Sequence, residues 1–104
     1  MLYIQSRYNW FVDVPEFDCD EGNVRHLARH AVRPIEAEEA ILDPAAIMLE
    51  IEIDDEERVK AIGCTGAGRI LVAIFTFCGE AIRPITAYAA TKRDQEVYLR
   101  SDVT

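Results

Sequence analysis

The sequence predicts an α+β domain: two short helices packed on a twisted antiparallel sheet of four or five strands, followed by a C-terminal helix. Three observations carry this. Residues 46–53, AIMLEIEI, alternate with the period of two that marks a half-buried strand. Residues 70–77, ILVAIFTF, form a nearly continuous apolar run, as expected of a central strand covered on both faces. Between the candidate strands lie only short acidic or Gly-containing reversals, which serve antiparallel neighbours.

Taken in order, residues 2–18 are rich in Leu, Tyr, Ile, Trp, Phe and Val and read as one or two short strands broken at Pro15. Asp20 caps a helix from Glu21 to about His30, acidic at its start and basic at its end, which suits the macrodipole. Leu27 is its inward residue, flanked by Val24 and Ala31. Pro34 opens a second helix, PIEAEEAIL, that ends before Pro44 and carries an apolar stripe of Ile35, Ala37, Ala40 and Ile41. In the first meander strand, Ile47, Leu49, Ile51 and Ile53 share one face, and Met48, Glu50 and Glu52 the other. DDEE is a hairpin end. RVKAIGCT follows, with Val59, Ala61 and Gly63 alternating against Lys60, Ile62 and Cys64. GAGR is a Gly-rich reversal into ILVAIFTF, and CGE turns the chain into AIRPITAYA, where Pro84 predicts an edge or a bulge. Thr91 caps the last helix, with Asp94 at the capping-box distance.

The chain has 104 residues, half of them apolar, enough for one core and one domain spanning 1–104. No stretch approaches the roughly 18 uninterrupted apolar residues of a membrane helix. MLYIQSRYNWFVDV has no basic n-region or smooth apolar run, so no signal peptide is expected. Three widely spaced cysteines, Cys19, Cys64 and Cys78, argue against a disulfide framework or zinc knuckle. They are expected to be buried small side chains in a cytoplasmic protein. The net charge is −8 but unevenly spread. Residues 34–57 hold ten acidic and no basic residues, whereas 58–100 hold seven basic and three acidic. An acidic protein is a poor nonspecific nucleic-acid binder, so any phosphate site must be a local convergence of cations.

The stretches FDCDEGNVRHLARHAV, EAEEAILDP, EERVKAIGCTGAGRILVAIFT and IRPITAYAATKRDQEVY stand in an order and spacing that resemble the BrnT family over residues 16–99. Residues 1–15 read as an N-terminal extension. The resemblance implies a RelE-like fold and the activity of a metal-independent endoribonuclease toxin of a type II toxin–antitoxin system, with no cofactor. It also implies a ribbon-helix-helix antitoxin (BrnA-like) as partner and RNA as substrate. The family's basic–His pair falls on Arg29 and His30, its Glu–Arg on Glu57 and Arg58, and its last-strand Arg on Arg83. Two positions depart from the family pattern: Arg29 stands where many relatives have Lys, and Tyr88 where many have Arg.

The chemistry asks for the same residue types. Metal-free RNA cleavage needs a base at the ribose 2′-hydroxyl, an acid at the departing 5′-oxygen, and cations around the phosphorane between them. Arg suits the last task through its planar fork, and His the first two. The catalytic candidates are therefore Arg29, His30, Arg58 and Arg83, with His26, Arg69 and Tyr88 as RNA-binding candidates. These four catalytic side chains are expected to converge. Each has a structural alternative. His26 and His30, four apart, have a metal-compatible spacing but no third ligand beside them. For Arg58, which follows four acidic residues, the alternative is simple charge neutralisation, and for Arg83 it is a structural ion pair with Glu57. Trp10, Tyr3 and Tyr8 read as core or interface residues. The competing functional reading is a catalytically silent relative that binds a partner protein, or its own copy as a homodimer, through the sheet edge or the apolar N-terminal segment.

Overall fold

The computed structural model describes residues 16–18 and 29–101. The expected N-terminal strands before Glu16 and the body of the first expected helix lie outside the described residues. Arg29 has helical backbone, and His30 and Ala31 form the turn that leaves it, with Ala31 in the left-handed region at φ +56°.

Helix α1 spans Pro34–Leu42. Pro34 supplies a preset φ at the first turn, and Ala, Glu and Leu are strong helix formers. Glu36 reaches back to accept the Arg33 backbone N–H at 3.0 Å, satisfying a donor at the helix start. The buried face is Ala37, Ala40 and Ile41. Ile35, expected in that stripe, is instead 51% exposed. It lies two residues, about 200° of helical rotation, from Ala37 and so points away from the sheet.

Four strands follow in chain order, all antiparallel: β1 (Ile47–Ile53), β2 (Glu56–Cys64), β3 (Ile70–Cys78) and β4 (Ala81–Ala89). The first reversal is tighter than DDEE suggests. Ile53 pairs with Glu56, so only Asp54 and Asp55 form the turn, both at positive φ, as a type I′ hairpin requires. Glu56 and Glu57 belong to β2. Gly79, at φ +65°, opens the two-residue turn between β3 and β4. ILVAIFTF is an interior strand, paired on both sides, as expected. The bulge expected at Pro84 is present: Ile74 pairs with Thr86 and Phe75 with Pro84, leaving Ile85 as the extra residue. Residues 16–18 run parallel to β4, with Asp18 N–H donating to the Ile82 carbonyl and Ile82 N–H to that of Glu16.

The sheet separates two apolar layers. On one face α1 packs over Met48, Val59, Ala61, Leu71, Ala73, Phe75, Ile82 and Ala87. The approach is close because β2 carries Gly63 there; a Cβ at Gly63 would lie 1.9 Å from the Ala40 carbonyl oxygen. On the other face, helix α2 (Lys92–Ser101) brings Tyr98 onto Ile47, Ile62, Val72 and Ile74. Thr91 Oγ1 accepts the Asp94 N–H at 3.2 Å and so caps α2. The Asp94 carboxylate is 3.4 Å from Lys60.

Asp43, just past α1, ties the layers together. Its carboxylate accepts from Ala45 N–H (2.9 Å), Cys64 N–H (2.8 Å) and Tyr98 OH (2.5 Å). Burial, with the Asp43 charge beside it, pushes the Cys64 thiol up from its ordinary range. Cys64 is half-buried and Cys78 is exposed, contrary to the expected burial. Cys78 lies at the end of β3 beside Arg83, on the face that α2 only partly covers. No helix among the described residues is long and apolar enough to cross a membrane.

Candidate RNA-contacting face

The face that α2 only partly covers carries Arg58, Arg83 and Tyr88. Ile51 pairs with Arg58, and Thr76 with Arg83. The β2–β3 register runs through Val59 and Phe75, which sets Arg58 alongside Thr76 one residue on. Ile51, Arg58, Thr76 and Arg83 thus form one row across the four strands. Two strand spacings separate the backbones of Arg58 and Arg83, about 10 Å.

Each guanidinium is engaged. Arg58 Nη1 donates to the Glu57 carbonyl at 2.9 Å, and its Nη2 pairs with the Glu56 carboxylate. Arg83 donates to Asp18 Oδ2 through Nε (3.2 Å) and Nη2 (2.6 Å), and Nη2 also lies 3.4 Å from Cys78 Sγ. The ion-pair partner of Arg83 is therefore Asp18, brought in by the parallel segment, and not Glu57. Glu57 faces Glu52 across the hairpin, on the opposite side of the sheet.

The bulge determines what joins this row. Arg83 and Tyr88 are five residues apart, which in a regular strand puts them on opposite faces. Ile85 absorbs one residue, so Arg83, Thr86 and Tyr88 pair with Thr76, Ile74 and Val72 and share a face. Tyr88 is four β3 positions from the Arg83 row, about 13 Å along the strand. Its ring lies 6.1 Å from that of His30 at a tilt of 60°. Close by, Arg69 Nη1 donates to the Ala31 carbonyl (3.0 Å) and to Glu36 Oε2 (3.3 Å). Glu36 is held below the usual carboxylate range, first by the Arg33 N–H and then by Arg69, against the opposing effect of desolvation.

The candidates thus gather in two places: Arg58, Arg83 and Tyr88 share one sheet face, whereas Arg69 bonds to the α1 side of the sheet. Arg58 and Arg83 mark one end; His30, Tyr88 and Arg69 mark the other, with Arg29 exposed on the residue before His30. His26 lies outside the described residues. Asp18, which sequence reasoning did not single out, joins the first group from 65 positions away, and no local pattern signals such a partner. A cavity of about 400 Å³ adjoins Arg58, but Glu50, Glu52 and Glu57 line it, a sign of charge that disfavours phosphate. Among the described residues, no three His, Cys, Asp or Glu side chains are grouped to hold a metal ion.

A search among curated proteins finds none that matches this chain. The family described as "Ribonuclease toxin, BrnT, of type II toxin-antitoxin system" matches residues 20–94. The match takes in the described part of the His30 turn, α1, the whole four-stranded sheet and the start of α2, and the chain belongs to the BrnT family of type II toxin–antitoxin ribonuclease toxins.

Proposed function

We propose that the protein is a metal-independent endoribonuclease toxin that cleaves RNA by attack of the ribose 2′-hydroxyl on the adjacent phosphate. In this reading Arg29, His30, Arg58 and Arg83 are the catalytic residues, and His26, Arg69 and Tyr88 form the RNA-binding margin. His30 moves the proton, either from the 2′-hydroxyl or to the departing 5′-oxygen. The arginines stabilise the charge on the phosphorane, a task that suits their fixed donors. The bond formed is 2′-O–P and the bond broken is P–O5′, which leaves a 2′,3′-cyclic phosphate and a 5′-hydroxyl.

The observation that carries the reading is that Arg58, Arg83 and Tyr88 share one sheet face, with His30 against Tyr88. The 13 Å between the two groups is about two nucleotides of extended backbone, so one strand of RNA can lie along both. The partner in this reading is a ribbon-helix-helix antitoxin that covers the same face, and the setting is the cytoplasm. The test is cleavage of a defined RNA in excess chelator. Undiminished cleavage with cyclic phosphate ends is the expected result. Activity abolished by chelator and restored by one metal would refute metal independence.

A second reading, a catalytically silent relative that binds a protein partner, draws on one observation. The carboxylates of Asp18 and Glu56 already occupy Arg83 and Arg58. Absence of cleavage by the folded protein, with an antitoxin-like protein still copurifying, favours it.

A further inference from the structure

Arg69 stands at the end of the β2–β3 hairpin, and its backbone is fixed before its side chain acts. Its N–H donates to Thr65 Oγ1 (3.1 Å), its carbonyl accepts the Thr65 N–H (2.9 Å), and Thr65 is buried. From there the guanidinium reaches 38 positions back to the carbonyl of Ala31. Ala31 has a left-handed backbone, a conformation a non-glycine residue keeps only where its surroundings hold it. On the other side of the same turn, Glu36 takes the Arg33 N–H through Oε1 and Arg69 through Oε2. Val32, between the two anchors, is buried under α1. The turn is thus clamped at Ala31 and Arg33, and the residue whose direction this fixes is His30.

We propose that Arg69 is a positioning residue for His30, acting through the Ala31 carbonyl and Glu36, rather than a contact for RNA phosphate. The proposal rests on the functional reading above and changes the role of Arg69 within it. Arg69 commits its Nη1 donors to a carbonyl and a carboxylate inside the protein, and these two contacts tie it to the turn that carries His30. The ring of His30 then stands against Tyr88 because the turn delivers it there.

The test joins NMR of the His30 ring to RNA cleavage kinetics in the wild type, Arg69→Ala and Arg69→Lys. In Arg69→Ala the His30 carbon-bound proton shifts should move towards unstructured values as the Tyr88 ring current is lost. The kcat should fall tenfold or more while KM changes less than threefold, and Arg69→Lys should recover part of both. A phosphate contact gives the opposite pattern: unchanged His30 shifts, a raised KM, and a salt dependence of binding weaker by about one phosphate. That pattern would overturn the proposal. Where Arg69→Ala fails to fold, the comparison of wild type with Arg69→Lys decides on the same two signatures. If the wild type cleaves no RNA, the functional reading fails, yet the His30 shifts still judge the positioning role on their own.

Discussion

Replacing Gly63 with alanine tests the packing that sets the site's geometry. The new Cβ would lie 1.9 Å from the Ala40 carbonyl oxygen, 2.7 Å from its carbon and 3.0 Å from its Cα. All three are backbone atoms of a helix, so no side chain can swing aside. Ordinary contact begins at 3.4 Å, so α1 must retreat by about 1.5 Å along that line to relieve the closest contact. A gap of that size forfeits at least half of the dispersion attraction along Ala37, Ala40 and Ile41. The cost should reach about 3 kcal/mol, at the upper end of overpacking effects. For a domain of this size that lowers Tm by roughly 12–24 °C. Urea and thermal unfolding followed by circular dichroism measure it directly. A loss below about 0.5 kcal/mol would refute the close-approach argument. Retreat of α1 also pulls Glu36 from Arg69, so any folded Gly63→Ala protein should show altered His30 resonances.

Arg83→Ala should lower RNA cleavage at least tenfold yet change stability by less than about 1 kcal/mol, because both side chains of its pair with Asp18 are 38% exposed; a large loss of stability with intact cleavage would make the pair structural. Asp43→Asn turns one acceptor oxygen into a donor facing N–H or O–H groups, and should cost about 2–3 kcal/mol in urea unfolding, with Tyr98→Phe costing about 1.5. Glu36 and Glu38 should act on pH stability with opposite signs. The Glu36 carboxyl is lowered when folded, so its contribution is full above the unfolded value near 4.5 and is lost as pH falls through the folded one. Burial raises Glu38, so its ionised form costs stability at neutral pH, and the cost disappears on acidification. Accordingly, Glu36→Gln should lower Tm at pH 7 and Glu38→Gln raise it, with both differences shrinking as the pH falls.

Much of the sheet was legible because alternation is a direct record of burial. Val59, Ala61 and Gly63 face α1, as their spacing from Lys60 and Ile62 implies, and the interior place of ILVAIFTF follows from its lack of any polar side. The hairpin end was less legible. Glu56 and Glu57 look like loop residues by polarity, yet they extend β2, because a strand end in solvent tolerates charge. Proline signalled the irregularity in β4 but not its consequence. Only the register reveals that Ile85 is skipped and that Arg83 and Tyr88 therefore share a face. The candidate residues stand out in the sequence by type and by family resemblance, whereas their partners do not. Asp18 meets Arg83 and Ala31 meets Arg69 through chain reversals that leave no periodic trace.

The meander has a kinetic consequence. Its hairpins close over two, five and two residues, so their loop entropy is small and their contacts are local in sequence. The contacts that dock the flanking segments onto the sheet span much longer loops: 38 positions from Ala31 to Arg69, 55 from Asp43 to Tyr98 and 65 from Asp18 to Arg83. The sheet should therefore form first and the flanking segments dock onto it afterwards. Opening runs in reverse: the flanks detach while the hairpins persist, and each such excursion dismantles the site without unfolding the protein. Hydrogen exchange should show protected amides in β2 and β3 and much faster exchange at Asp18 and around the His30 turn. A partner that clasps the flanks to the sheet would slow exchange there selectively.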